Sequence, residues 1–205
     1  MNADTIRESM RAILRAESEA VAAIPVGDGY VRAVETIIDR VHGRHGKLVT
    51  SGMGKAGQIA MNMATTFCST GTPAVFLHPS EAQHGDLGVL APDYVLLLVS
   101  NSGKTREILE LIDLADGLYD GLPKIVITGA PDSPLAQRAD AVLLTGAAPE
   151  VCPLGLTPTT STTVMTVIGD ILVVNVMNNI DFSRTDYARR HHGGYLGVAA
   201  RGENR

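Results

Sequence analysis

KLVTSGMGKAG, residues 47–57, runs from apolar residues into Ser51 and then sets Gly52, Gly54 and Gly57 at the G-x-G-x-x-G spacing. A strand that ends in such a turn and opens a helix makes a phosphate cradle, because free backbone N–H groups and the helix dipole both favour an anion. The question is whose phosphate. A dinucleotide site needs an Asp or Glu at the end of the next strand, about 20 residues on, to hold a ribose hydroxyl. Here that strand ends VFLHPSE, with His78 and Pro79 where the acid belongs and Glu81 inside a different motif. A P-loop needs G-x-x-x-x-G-K-[ST], whereas only Met53 separates Gly52 from Gly54 and Ala56 follows Lys55. Neither nucleotide fingerprint is met.

A second loop of the same kind lies further on. LLLVSNSGKTREILEL, residues 96–111, passes from a buried run through Ser100, Asn101, Ser102 and Gly103 to Thr105 and a helix. A helix needs one capping residue of this type. Four hydroxyl or amide side chains in six positions point instead to anion binding. Both loops leave the carboxyl ends of predicted strands, where open α/β sheets bind their ligands. Two short loops suit a monophosphate on a small molecule, with Ser51, Gly52, Ser100, Asn101, Ser102 and Thr105 as its candidate contacts.

The rest of the chain supplies the frame. Short apolar runs at 47–50, 74–77, 94–99, 124–128 and 141–144 are continuous rather than alternating, as in strands covered on both faces. Helical segments fit between them at about 54–69, 104–118 and 133–138. Two more precede them, at about 5–23 and 29–42, and a nearly all-apolar helix follows at about 160–178. Alternating strand and helix predicts a doubly wound α/β domain with a five-stranded parallel sheet. One domain spans 1–205, with an N-terminal helical segment over about 1–43.

Composition excludes several classes. A formal charge of −5 and no run of Lys or Arg argue against nucleic acid. The N-terminus has no apolar h-region, and no 18-residue apolar run is found, so neither export nor a membrane is expected. Cys68 and Cys152 lie outside any C-x-x-C spacing, which suits free thiols in the reducing cytoplasm.

Taken together, SGMGK at 51–55, TGTPAVFLHPSEAQHGDLG at 70–88, SNSGKTREI at 100–108, EVCPLGLTPTTSTT at 150–163 and RHHGGYLG at 190–197 resemble the sugar isomerase (SIS) domain. Within it they are similar to the arabinose-5-phosphate isomerases. The resemblance covers about 30–198 and matches the short form without CBS domains. It implies a flavodoxin-like sheet, no cofactor, and a homotetramer with active sites between subunits. It implies interconversion of arabinose 5-phosphate and ribulose 5-phosphate through an enediol.

Such a reaction needs a base, a group to stabilise charge on oxygen, and an acid–base group to open the sugar ring. Motif by motif, the resemblance puts Lys55, Glu107, Glu150 and His191 on the family's catalytic positions. Each also has an ordinary reading. Glu107 in a first helical turn offsets the dipole, Glu150 is a loop charge, and His191 and His192 are a surface pair. A lysine in a first turn, by contrast, is unfavourable without an anion nearby. His84 is expected to touch sugar hydroxyls. His78, Glu81, His84 and Asp86 crowd into nine residues but match no standard zinc spacing, so no metal is expected. Lys104, Ser80, Pro149, Arg190 and His192 depart from the family pattern and bear on which sugar phosphate is used. The alternatives are an isomerase of another pentose or hexose phosphate, or a regulator that binds a sugar phosphate without converting it.

Overall fold

The five predicted strands form, several of them bounded where the apolar run meets Gly, Pro or Ser. A computed structural model describes residues 2–202; the expected domain limits at 1 and 205 lie outside the described residues. The strands are β1 (Leu48–Gly52), β2 (Ala74–Phe76), β3 (Val95–Val99), β4 (Lys124–Thr128) and β5 (Ala141–Leu144). They lie in the order β2-β1-β3-β4-β5, all parallel. This is the flavodoxin-like order, in which the chain reverses direction across the sheet between β1 and β3.

Alternate residues of each strand enter opposite cores. Val95, Leu97 and Val99 of β3 face one layer with Ile125 and Ile127; Leu96 and Leu98 face the other with Val126. The first layer holds α1 (Ala3–Ala22), α2 (Asp28–Ile37), α3 (Gly54–Ser69) and α7 (Thr160–Asn179). The second holds α4 (Pro79–Ala82), α5 (Arg106–Leu118) and α6 (Pro134–Gln137). All five residues of β3 are buried, which is why its sequence is continuously apolar.

Details depart from the sequence reading. The predicted helix at 29–42 is α2 followed by a π-helical turn over Ile38–Gly43. The helix expected from 104 begins at Arg106, because Gly103 has φ +60° and Thr105 is an extended N-cap. Contrary to the expectation that no apolar run is long enough to span a membrane, α7 is long and apolar enough to cross one by length and composition. Nine of its residues, among them Val164, Ile168, Leu172 and Val176, are buried within this protein. It packs on α1, α2 and α3, with Gly169 set close against Met63, and so serves here as a core helix.

The chain ends in an unforeseen hairpin, α8 (Arg184–Arg190) and α9 (Gly194–Arg201), which pack chiefly on one another. Its start was legible: Ser183 and Asp186 form a reciprocal capping box. On α1, Ile6, Met10, Ile13 and Leu14 form the predicted apolar stripe, yet all four stay exposed.

Candidate active site

The turn after β1 explains two of its glycines by close packing and the third by a positive φ. A Cβ at Gly52 would lie 2.9 Å from the Ala56 backbone, one at Gly57 would lie 2.6 Å from the Gly52 carbonyl oxygen, and Gly54 has φ +56°. The turn thereby starts α3 with Lys55 exposed in its first turn. Ser51 is not part of the opening. It is fully buried, and its hydroxyl donates to the Leu77 carbonyl at 2.6 Å, tying β1 to the segment after β2.

The loop after β3 is braced from behind. Gly129 N–H and the Thr128 hydroxyl donate to the Asn101 carbonyl at 3.0 and 3.2 Å, and the Thr145 hydroxyl donates to Asn101 Oδ1 at 3.2 Å. Ser100 and Thr105 share a hydrogen bond of 2.7 Å across the turn. Gly103 is required twice over, by its positive φ and by the Ser133 side chain, which occupies the space a Cβ would need. The loop therefore meets the N-terminus of α5 in a fixed shape, where the first-turn N–H groups have no intrahelical partner.

Between these loops and the N-terminus of α7 lies a cavity of about 420 Å³. Lys55 and Met53 line one side, and Ser100, Asn101, Ser102 and Thr105 another. Glu150 closes it with Gly155, Leu156 and Pro158, and α7 adds Ser161, Thr162 and Met165. Met53 and Met165 look like ordinary core residues in the sequence, whereas the TPTTSTT run reads equally as a helix cap or as pocket lining, and its Ser161 and Thr162 do line the cavity.

Glu150 replaces that cap. Thr159 is the N-cap residue of α7, but its hydroxyl makes no capping bond. Instead Glu150 Oε2 accepts from Thr159 N–H at 2.7 Å, the Thr159 hydroxyl at 2.9 Å and Ser161 N–H at 3.3 Å. Burial pushes this carboxyl up, but the hydrogen bonds from Ser161 and Thr159 outweigh it and hold Glu150 below the usual range for Glu. These bonds favour the ionised form, and the three given above all fall on Oε2 rather than Oε1. Two residues on, Cys152 Sγ accepts from Thr157 N–H at 3.1 Å and Leu156 N–H at 3.2 Å, and these bonds draw its thiol down to about 7.

Other candidates stand apart. Glu107 lies in the first turn of α5 beside Arg106 and is not among the cavity's lining residues. His84 is exposed after α4, also outside the lining. His191 follows α8, where its ring stacks on Tyr187 at 3.8 Å and its Nδ1 lies 3.0 Å from the Tyr187 carbonyl. Among the described residues no group of three His, Cys, Asp or Glu is placed to hold a metal ion.

The family model of the SIS domain matches residues 43–175, from the turn before β1 to most of α7. The chain belongs to the SIS-domain family. This SIS domain is 43% identical over 192 residues to the arabinose 5-phosphate isomerase KdsD of Escherichia coli K12. That match covers 93% of the chain but 57% of the relative, so the chain spans a little under three fifths of such proteins' length. Among solved structures it is similar to a candidate phosphosugar isomerase involved in capsule formation from Bacteroides fragilis. That structure is 65% identical with a TM-score of 0.92, and the match covers 93% of this chain and 99% of the other. An Escherichia coli CFT073 protein in complex with arabinose 5-phosphate is 34% identical with a TM-score of 0.85, over 93% of this chain and all of the other. The SIS domain thus carries the expected fold, and the curated relative named above is an arabinose 5-phosphate isomerase.

Proposed function

We propose that the protein is an aldose–ketose isomerase of a sugar phosphate, interconverting D-arabinose 5-phosphate and D-ribulose 5-phosphate. The observation that carries this reading is the shared cavity where Lys55 and an ionised Glu150 face the Ser100–Thr105 loop. In it, the loop and the start of α5 hold the phosphate. Glu150 Oε1 removes the proton from C2 of the open-chain aldose, and the C–H electron pair becomes the C1–C2 double bond. The carbonyl electrons move to O1, where Lys55 offsets the charge. The O2 proton passes to O1 and the O2–H electron pair forms the C2 carbonyl, while the C1–C2 double-bond pair takes back the proton from Glu150 at C1, giving the ketose.

The remaining roles call for more than one copy of the chain. We assign ring opening to His191 of a neighbouring copy in a homotetramer. Support comes from the hairpin that carries it, which packs on itself and leaves Tyr195 and Leu196 exposed. The loop that closes the cavity exposes Leu154 and Leu156, and α1 exposes its apolar stripe. Glu107 and His84 are assigned to the same assembled site. Two unpaired cysteines suit a cytoplasmic location.

The test is a panel of pentose and hexose phosphates assayed for aldose–ketose conversion. Conversion of arabinose 5-phosphate in preference to the others supports the reading. Preferred turnover of another sugar phosphate would overturn the substrate, and tight binding without any turnover would point to a regulator.

A further inference from the structure

We infer that Thr159 is a positioning residue for the proton-abstracting carboxylate, its hydroxyl dedicated to aiming Glu150 rather than to capping α7. The inference rests on Glu150 being the base of the proposed isomerisation.

An N-cap threonine ordinarily turns its oxygen back to accept from the N–H two or three residues on, and so stabilises its own helix. Thr159 does not. Its hydroxyl points to Glu150 Oε2 at 2.9 Å, with the Thr157 carbonyl at 3.3 Å as a weaker alternative. The helix loses nothing by this, because Oε2 accepts from the backbone N–H groups of Thr159 and Ser161. Thr159 is also built into the helix start, since its carbonyl accepts from Thr163 N–H at 3.0 Å and the Thr162 hydroxyl at 2.8 Å. The hydroxyl is thus surplus to the fold, and it is held by a backbone that cannot drift.

What the bond fixes is rotation. Two backbone donors anchor one carboxylate oxygen but leave the plane of the group free to turn about it. The Thr159 hydroxyl restricts that turn, together with the Ser161 side chain that also hydrogen-bonds this carboxylate, and so helps to fix the position of Oε1. A base must stand within hydrogen-bond reach of its proton, about 2.6–3.2 Å, so a small rotation lowers turnover without loosening the phosphate end of the substrate. The same donor favours the ionised form of Glu150. Other charged or titratable groups near this carboxylate are Lys55 across the cavity and Cys152 on the same loop. Glu17 of α1 accepts from Thr163 one turn along, and Glu107 begins the neighbouring α5.

The experiment compares Thr159→Val, Thr159→Ser and Glu150→Gln with the intact protein for melting temperature, kcat, KM and the pH profile of kcat/KM. Thr159→Val should melt within a few degrees of the parent. Its kcat should fall about 10-fold, with KM changed less than 2-fold, because the lost interaction serves the reacting carbon and not the phosphate. Its acid limb should move to higher pH, because a carboxylate with one donor fewer is protonated sooner as pH falls. Thr159→Ser keeps the hydroxyl and should restore both. Should Thr159→Val not fold, Thr159→Ala is read by the same measures. A folded hydroxyl-less variant with parental kcat and acid limb, beside an inactive Glu150→Gln, overturns the role of Thr159 alone. An active Glu150→Gln overturns the base assignment and this inference with it.

Discussion

Ser51 and Ser102 carry the same hydroxyl to different ends, and the distinction is measurable. Ser51 is sealed in the sheet and donates to Leu77, whereas Ser102 lines the cavity at the mouth of the second loop. Ser102→Ala should raise KM for the sugar phosphate, since a hydrogen bond to a charged group contributes roughly 1.5–3 kcal/mol in ground and transition states alike. Ser51→Ala should leave KM unchanged and cost about 1 kcal/mol in denaturant unfolding, the net value of one buried hydrogen bond. A rise in KM for Ser51→Ala would return that residue to the site. In sequence the two serines look alike, each following an apolar run within a few residues and standing directly before a glycine. What separates them is the partner across the sheet, which local pattern does not encode. Glu150 was legible only through the wider motif, because a lone loop glutamate carries no chemical signature, whereas Lys55 stands out as a cation in a first helical turn. Thr159 was hidden for the opposite reason: a threonine before a helix already has a sufficient explanation.

Elements were easier to read than contacts. The five strands follow from continuous apolar runs, because burial on both faces leaves no room for alternation. The short α8 and α9 were missed, since seven or eight residues offer two turns of periodicity at most. The lower end of β4 shows a feature that no pattern announces. Lys124 is nearly buried, its ammonium 2.6 Å from Asp116 Oδ1, and Arg138 holds the other oxygen at 3.0 Å. Burial pushes the Asp116 carboxyl up, but Lys124 and Arg138 outweigh it and hold it below its ordinary 3.8. Its contribution is therefore present above that pH and is lost as pH falls through the lower native value. Asp116→Ala strands the Lys124 ammonium and should cost about 1–3 kcal/mol, less than a fully buried pair because Asp116 is one-third exposed. Lys124→Met, which fills the same space without a charge, should cost less than about 1 kcal/mol. Urea titrations of the two variants decide the order; equal losses would show that the pair is not the source.

At the scale of the whole molecule the proposed assembly is tested by complementation. His191→Ala and Lys55→Ala chains should each lose about 10²–10⁴-fold in activity, the usual cost of removing a positioned acid–base group. If each site joins Lys55 of one copy to His191 of another, mixing the two chains and letting subunits exchange leaves some sites intact. Random pairing at equal amounts restores about a quarter of the parental activity, because half the sites keep Lys55 and half of those meet an intact His191. No recovery, with exchange demonstrated by a subunit-mixing assay, would return His191 to its own chain's site. The apolar stripe of α1 gives a second handle. Ile13→Glu with Leu14→Glu should shift the species seen by light scattering toward monomer while leaving the sheet's circular dichroism intact.

The strand order has a consequence for the chain while it is being made. β1 sits second from one edge, with its partners β2 and β3 centred about 25 and 47 residues downstream. As the ribosome releases it, β1 meets the short β2 first and keeps its other edge open until Val99 has emerged. During that interval Leu48 and Val49 and the open edge of β1 are available to other nascent chains. A stalled chain ending near residue 90 should therefore be held by chaperones and cut readily by protease. One extended past β5 and α7 should resist, since only then do both faces of the sheet have their cover.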